Sequence, residues 1–174
     1  MKETGPVKLE EINACALDDF VVAFGDVAEH SPWVAERAAA NRLFADREAM
    51  IAAFTDAVLA AGCDEQLALI RAHPDLAGKA AVAGNLTADS RREQAGAGLD
   101  SLTAEEFARF TSLNGRYLET FGFPFILAVK GATKGQILEA FEARLGNDPE
   151  RERRTALEQV ARIVRFRLED RVTP

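Results

Sequence analysis

The sequence predicts an all-α fold, a single-domain helical bundle of about eight helices. Three observations predict it. Apolar residues recur at helical spacing, as in Phe107, Phe110, Tyr117, Leu118 and Phe121. Capping signals punctuate the chain, notably Thr103-Ala104-Glu105-Glu106 and Thr133-Lys134-Gly135-Gln136. Strand formers are scattered, and only Phe125 to Val129 reads as an apolar, extended run. The 174 residues suit one domain, residues 1–174, and can bury a core without disulfide or metal staples.

Taken in order, Asp18 can cap a short helix carrying Phe20, Val21 and Phe24. Ser31-Pro32 reads as a cap followed by proline at the first helical position, so a second helix starts near Trp33. Asp46 opens a third, with Met50, Phe54, Ala57, Val58 and Ala61 on one stripe and Gly62 as its stop. A fourth carries Leu67 and Ile70 and ends by His73, because Pro74 follows. Asp75 to Asn85 reads as loop or irregular helix. Ser90-Arg91-Arg92-Glu93 has the capping-box form and opens a fifth helix. The Thr103 box opens a longer one that Gly122, Phe123 and Pro124 break. The Thr133 box opens a helix carrying Ile137, Leu138, Phe141 and Leu145, closed at Gly146. Asp148-Pro149 caps a last helix reaching about Arg171.

Composition narrows the function. Hydrophobic residues make up 48% and charged residues 28%, a globular balance that argues against disorder. Lysine and arginine number 21 against 28 acidic residues, giving a net charge of −7. An acidic chain without a basic stripe is a poor nucleic-acid ligand and a poor match for an anionic membrane. No run approaches the ~20 apolar residues that span a bilayer. Cys15 and Cys63 read as reduced, partly buried thiols. The start, MKETGPVKLEE, does not read as a signal peptide and the end, RVTP, does not read as a peroxisomal address, so a cytoplasmic protein is expected. His30 and His73, the two histidines, have no metal-ligand spacing, and no metal site is expected. GxGxxG, GxxxxGK[ST] and GxSxG are all missing, so nucleotide binding and serine hydrolysis have no support.

Polar residues on apolar stripes are the candidates that remain. In the last helix Arg167 follows Ile163 by four and Val164 by three, on the inward side. Such an arginine either meets a carboxylate, of the protein or of a ligand, or snorkels at the stripe edge. Asn114 lies four after Phe110, where a bond to a neighbouring loop backbone or a functional role would explain it. His73 suits proton transfer near neutral pH, and equally suits a structural cap. His30 looks like a helix-entry residue. Glu93 either closes the Ser90 capping box or serves as a functional carboxylate.

Four blocks then stand in a distinctive order: Ala72-His73-Pro74-Asp75-Leu76; Ser90-Arg91-Arg92-Glu93-Gln94-Ala95-Gly96-Ala97-Gly98-Leu99; Asn114-Gly115-Arg116-Tyr117 with Phe121-Gly122-Phe123-Pro124-Phe125-Ile126; and Arg165-Phe166-Arg167-Leu168 closing the last helix. From about Leu17 to Leu168 the chain resembles the OHCU decarboxylases of urate degradation, OHCU being 2-oxo-4-hydroxy-4-carboxy-5-ureidoimidazoline. The resemblance implies an all-helical fold, no cofactor, a homodimer, and conversion of OHCU to (S)-allantoin with loss of CO2. It implies that His73 is catalytic, with Glu93 as its paired carboxylate and Pro74 beside it in the pocket. It implies a substrate-binding run of Ser90, Arg91, Arg92, Glu93 and Gln94. A second run is Phe125, Ile126, Leu127, Ala128 and Val129, acting through backbone groups. Arg167 would meet the substrate, with Arg165 two residues away as the competing assignment. No transthyretin-like hydrolase domain accompanies these blocks, so a single reaction step is expected. The alternatives are a non-catalytic helical binding protein of the same fold, or another cofactor-free lyase acting on a related ureido acid.

Overall fold

Helix follows helix along the chain in the computed structural model, which describes residues 5–173. Ten helices occur among the described residues: α1 (Leu9–Ala14), α2 (Leu17–Phe24), α3 (Trp33–Ala39), α4 (Arg47–Leu59), α5 (Cys63–Ala72), α6 (Lys79–Val82), α7 (Ala88–Gly96), α8 (Ala104–Phe121), α9 (Lys134–Arg144) and α10 (Pro149–Arg171). The all-α reading holds. The two helices beyond the expected eight are α1 and α6, each too short to show a periodic stripe. No helix among the described residues is long and apolar enough to cross a membrane.

Several of the boundary signals act as the sequence suggests. Asp46 accepts the Ala49 N–H at 2.7 Å and opens α4. Thr103 and Thr133 each complete a capping box, with Glu106 and Gln136 reaching back. Gly122 ends α8 in the left-handed region at φ 73°, where a side chain would be strained. Other signals are displaced. Asp18 does not cap α2, whose N-cap is Ala16 without a side-chain bond; Asp18 and Asp19 instead lie in the first turn, where negative charge suits the helix dipole. Thr87, not Ser90, caps α7 by accepting the Ser90 N–H, so Ser90 and Glu93 are interior helical residues. Gly62 does not stop α4, which ends at Leu59; its carbonyl instead accepts the Gln66 N–H as α5 begins. Gly146 lies one residue past the α9 C-cap, Leu145. Cys15 is half-buried and Cys63 exposed, so the expectation of partial burial fails for Cys63 at the first position of α5.

The packing resolves into two units. One runs through Leu69 and resumes at Ala161; the other is Ile70–Val160. The first holds α1 to α4, with Phe20 ringed by Phe24, Phe44 and Phe54 at centroid distances of 5.1, 6.1 and 6.1 Å. Its ends meet in a parallel bridge between Val7 and Val172, the Val7 N–H donating to the Arg171 carbonyl at 2.8 Å. The second unit holds α6 to α9 around Phe110, Tyr117, Phe125 and Phe141. The Phe125 and Phe141 rings stack at 3.7 Å, and Tyr117 stands edge-on to both. Phe125 to Val129 belongs to no ladder among the described residues.

Candidate active site

His73 is the residue at which α5 gives out. Its N–H still donates to the Ile70 carbonyl at 3.2 Å, but Pro74 has no N–H to carry the helix further. His73 is 6% exposed, a buried imidazole at the start of a loop. That loop, 74–78, is pinned by two amides. Gln94 of α7 accepts the Ala77 N–H at 3.0 Å and donates to the Asp75 carbonyl at 3.4 Å. Asn114 of α8 donates to the Leu76 carbonyl at 2.9 Å, so the backbone-bond reading of Asn114 is the observed one. Ala77 sits at φ 51°, a left-handed conformation that this anchoring holds in place. Asp75 in the same loop is partly buried, and that burial pushes its carboxyl above the usual range against a weaker pull from Lys79.

The run from Ser90 to Gln94 is helical, and a helix cannot aim five consecutive side chains at one ligand. At 100° per residue, Ser90, Glu93 and Gln94 share one stripe, while Arg91 and Arg92 turn away. Burial follows that geometry: Ser90 and Gln94 are buried, Glu93 half-buried, and both arginines exposed. Arg92 pairs with Asp89 one turn back. Arg91 donates to the Gly84 and Leu86 carbonyls at 3.3 and 3.4 Å. Arg91 and Gln94 also line a cleft of about 680 Å³, together with Leu99, Leu102 and Phe107. Gln94 spends its amide on the 75–77 backbone, which joins α7 to the His73 loop one residue from Glu93.

The second run leaves α8 through Gly122, whose carbonyl accepts from Arg71 Nε at 3.1 Å, two residues before His73. Phe125, Ile126, Ala128 and Val129 are buried and Leu127 is half-buried. The Ile126 carbonyl accepts from Arg144 Nη1 at 2.6 Å, and the Ala128 N–H donates to Gln159 Oε1 at 3.1 Å. His73, Pro74, the Ser90–Gln94 stripe and Phe125 to Val129 thus all lie in the second unit.

Arg167 lies in the first unit. It is 4% exposed, so the inward reading of the stripe is right and the snorkelling one is not. Its Nη1 meets Glu29 Oε2 at 2.8 Å and the Val27 carbonyl at 3.2 Å. Arg165 is a surface residue paired with Glu48 at 2.8 Å and Glu169 at 3.4 Å. His30 precedes α3, as expected of a helix-entry residue, at φ 49°.

Three buried charged residues, Glu29, Arg144 and Glu152, are missing from the sequence reading. Glu29 could be sought only as the unknown carboxylate that an inward Arg167 requires. Arg144 and Glu152 did carry a signal: Arg144 follows Phe141 by three, and Glu152 precedes Ala156 by four, on the inward stripes of α9 and α10.

Comparisons with known proteins bear on the family and the fold. The family model for OHCU decarboxylase matches residues 13–169. The chain is 43% identical over 163 residues to the 2-oxo-4-hydroxy-4-carboxy-5-ureidoimidazoline decarboxylase of Haloferax volcanii, covering 94% of this chain and 95% of that one. Against the enzyme of the same name from Amia calva, identity is 42%, covering 93% of each. The uric acid degradation bifunctional protein of Bacillus subtilis is 42% identical over 95% of this chain, which spans 33% of that longer protein. Among solved structures, an (S)-allantoin synthase superposes with a TM-score of 0.78 at 33% identity, over 97% of this chain and 54% of that one. An OHCU decarboxylase crystallised in the presence of (S)-allantoin shares the fold, at a TM-score of 0.66 and 21% identity, over 87% and 94% of the two chains.

Proposed function

The chain belongs to the OHCU decarboxylase family, and we propose that it converts OHCU to (S)-allantoin and CO2 without a cofactor. The single observation that carries the reading is the tie between the His73 loop and α7. Gln94 clamps the residues that follow His73-Pro74, and the adjacent Glu93 lies on the same stripe. An imidazole and a carboxylate delivered by anchored elements are the equipment of general acid–base catalysis.

The substrate supplies its own electron sink. The ring carbon that loses CO2 bears a hydroxyl and adjoins a C=N bond. As the C–C bond to the carboxylate breaks, its electron pair forms a C=C bond and the former C=N electrons pass to nitrogen, which takes a proton. The resulting enol gives up its hydroxyl proton and becomes the amide carbonyl. The neighbouring carbon takes a proton on one face, which sets the S configuration. His73 is proposed to engage the hydroxyl as general acid/base, with Glu93 orienting the imidazole. Assistance of this kind contributes ~10²–10⁴-fold. Pro74, Ser90 and the Phe125–Val129 backbone are proposed to bind the ring and its ureido arm. Gln94 serves by holding the loop. For Arg91, Arg92 and Arg167 a substrate contact rests on the resemblance alone. The proposal extends to one catalytic domain, supported by the reach of the family model, and to a cytoplasmic homodimer.

The test is turnover. Incubated with freshly generated OHCU and followed by circular dichroism, the protein should give optically active (S)-allantoin faster than the spontaneous, racemic decay. Racemic product at the buffer rate would leave a non-catalytic binding protein of this fold.

A further inference from the structure

Arg144 and Glu152 take no part in the chemistry above, yet they are charged and buried, Glu152 completely. Arg144 Nε and Nη2 donate to Glu152 Oε1 at 2.8 and 2.5 Å. The Tyr117 hydroxyl donates to the same oxygen, and Asn147 Nδ2 donates to Oε2 at 2.6 Å. Burial, reinforced by Glu152, holds the Tyr117 hydroxyl above its ordinary range, so it stays a donor.

A buried ion pair is a poor way to gain stability, because apolar replacements of similar volume are often neutral or better. What this pair offers is direction. The guanidinium fork is planar and rigid. Fixed by Glu152 on one edge, it presents Nη1 to the Ile126 carbonyl at 2.6 Å and lies 4.4 Å over the Phe125 ring. Two turns along α10 from Glu152, Gln159 holds the Ala128 N–H. The run is therefore fixed at residues 125, 126 and 128 from α9 and α10.

We propose that Arg144, locked by Glu152, is a positioning residue that sets the placement of the Phe125–Val129 backbone and thereby the grip on the ureido substrate. This rests on the reading of that run as a substrate-binding wall. A displaced wall weakens ground state and transition state together, so the loss falls on KM and not on kcat.

The full-length double variant Arg144→Met/Glu152→Leu removes both charges at similar volume. Losing the bonds to the Tyr117 hydroxyl and the Ile126 carbonyl should lower its melting temperature by several degrees and leave it folded. Its KM for OHCU and its Kd for (S)-allantoin by calorimetry should rise about tenfold or more, while kcat stays within about threefold. A folded double variant with wild-type KM and Kd would overturn the proposal, as would activity lost only in step with the folded fraction. Should the double variant not fold, Glu152→Gln drops the charge and keeps the acceptor oxygen facing Arg144 and Tyr117, losing only the oxygen that accepts from Asn147. A smaller rise in KM then supports the role, and an unchanged KM ends it. Wild-type turnover with indifferent variants removes the positioning role alone, whereas failure of the wild type to turn over OHCU removes the functional reading beneath it.

Discussion

At the scale of single residues, Asp75 and Arg167 carry the clearest consequences. Burial raises the Asp75 carboxyl above its ordinary range. Between the ordinary and the raised value the folded chain holds more protons than the unfolded one. Stability is therefore lost as pH rises through that window. Asp75→Asn should melt above wild type at pH 7, with the gain shrinking below the ordinary aspartate range; equal melting at pH 7 would mean the carboxylate is well solvated. Arg167 and Arg165 differ by environment. Removing Arg167 takes from Glu29, 1% exposed, the guanidinium that it meets at 2.8 Å. Arg167→Ala should cost about 3–5 kcal/mol in urea unfolding, with kcat/KM falling as well. Arg165→Ala, at a surface pair, should cost under ~1 kcal/mol and leave kinetics near wild type. The reverse order would transfer the buried role to Arg165.

At the scale of elements, the proposed site depends on α7 and α8 anchoring the loop after His73. Asn114→Ala frees the Leu76 carbonyl and costs about 1 kcal/mol of stability. It should lower kcat for OHCU more than it raises KM; steady-state kinetics showing only a KM effect would deny the loop this role. Helix periods and capping boxes made α4, α8, α9 and α10 legible in the sequence, because each carries a long apolar stripe or a side-chain cap. The start of α7 was not, since Ser90 to Glu93 satisfies the box pattern and Thr87 satisfies the geometry. The four sequence blocks named every element of the candidate site. They could not say that Ser90, Glu93 and Gln94 share a stripe from which Arg91 and Arg92 turn away. That depends on where the helix begins. Long-range pairs such as Arg167–Glu29, 138 residues apart, are beyond any local pattern.

At the scale of the whole molecule, each unit has an aromatic centre of its own, Phe20 in the first and Tyr117 with Phe125 and Phe141 in the second. The proposed chemistry asks little more of the fold than anchored elements and a partly dry wall, since the substrate absorbs its own electron pair. The proposed central role falls on His73, and its replacement is the most direct measurement. The variant His73→Ala should keep the helical circular dichroism and melting behaviour of the wild type, while production of (S)-allantoin from fresh OHCU falls to the spontaneous, racemic rate. A folded His73→Ala protein that makes (S)-allantoin at the wild-type rate would contradict it.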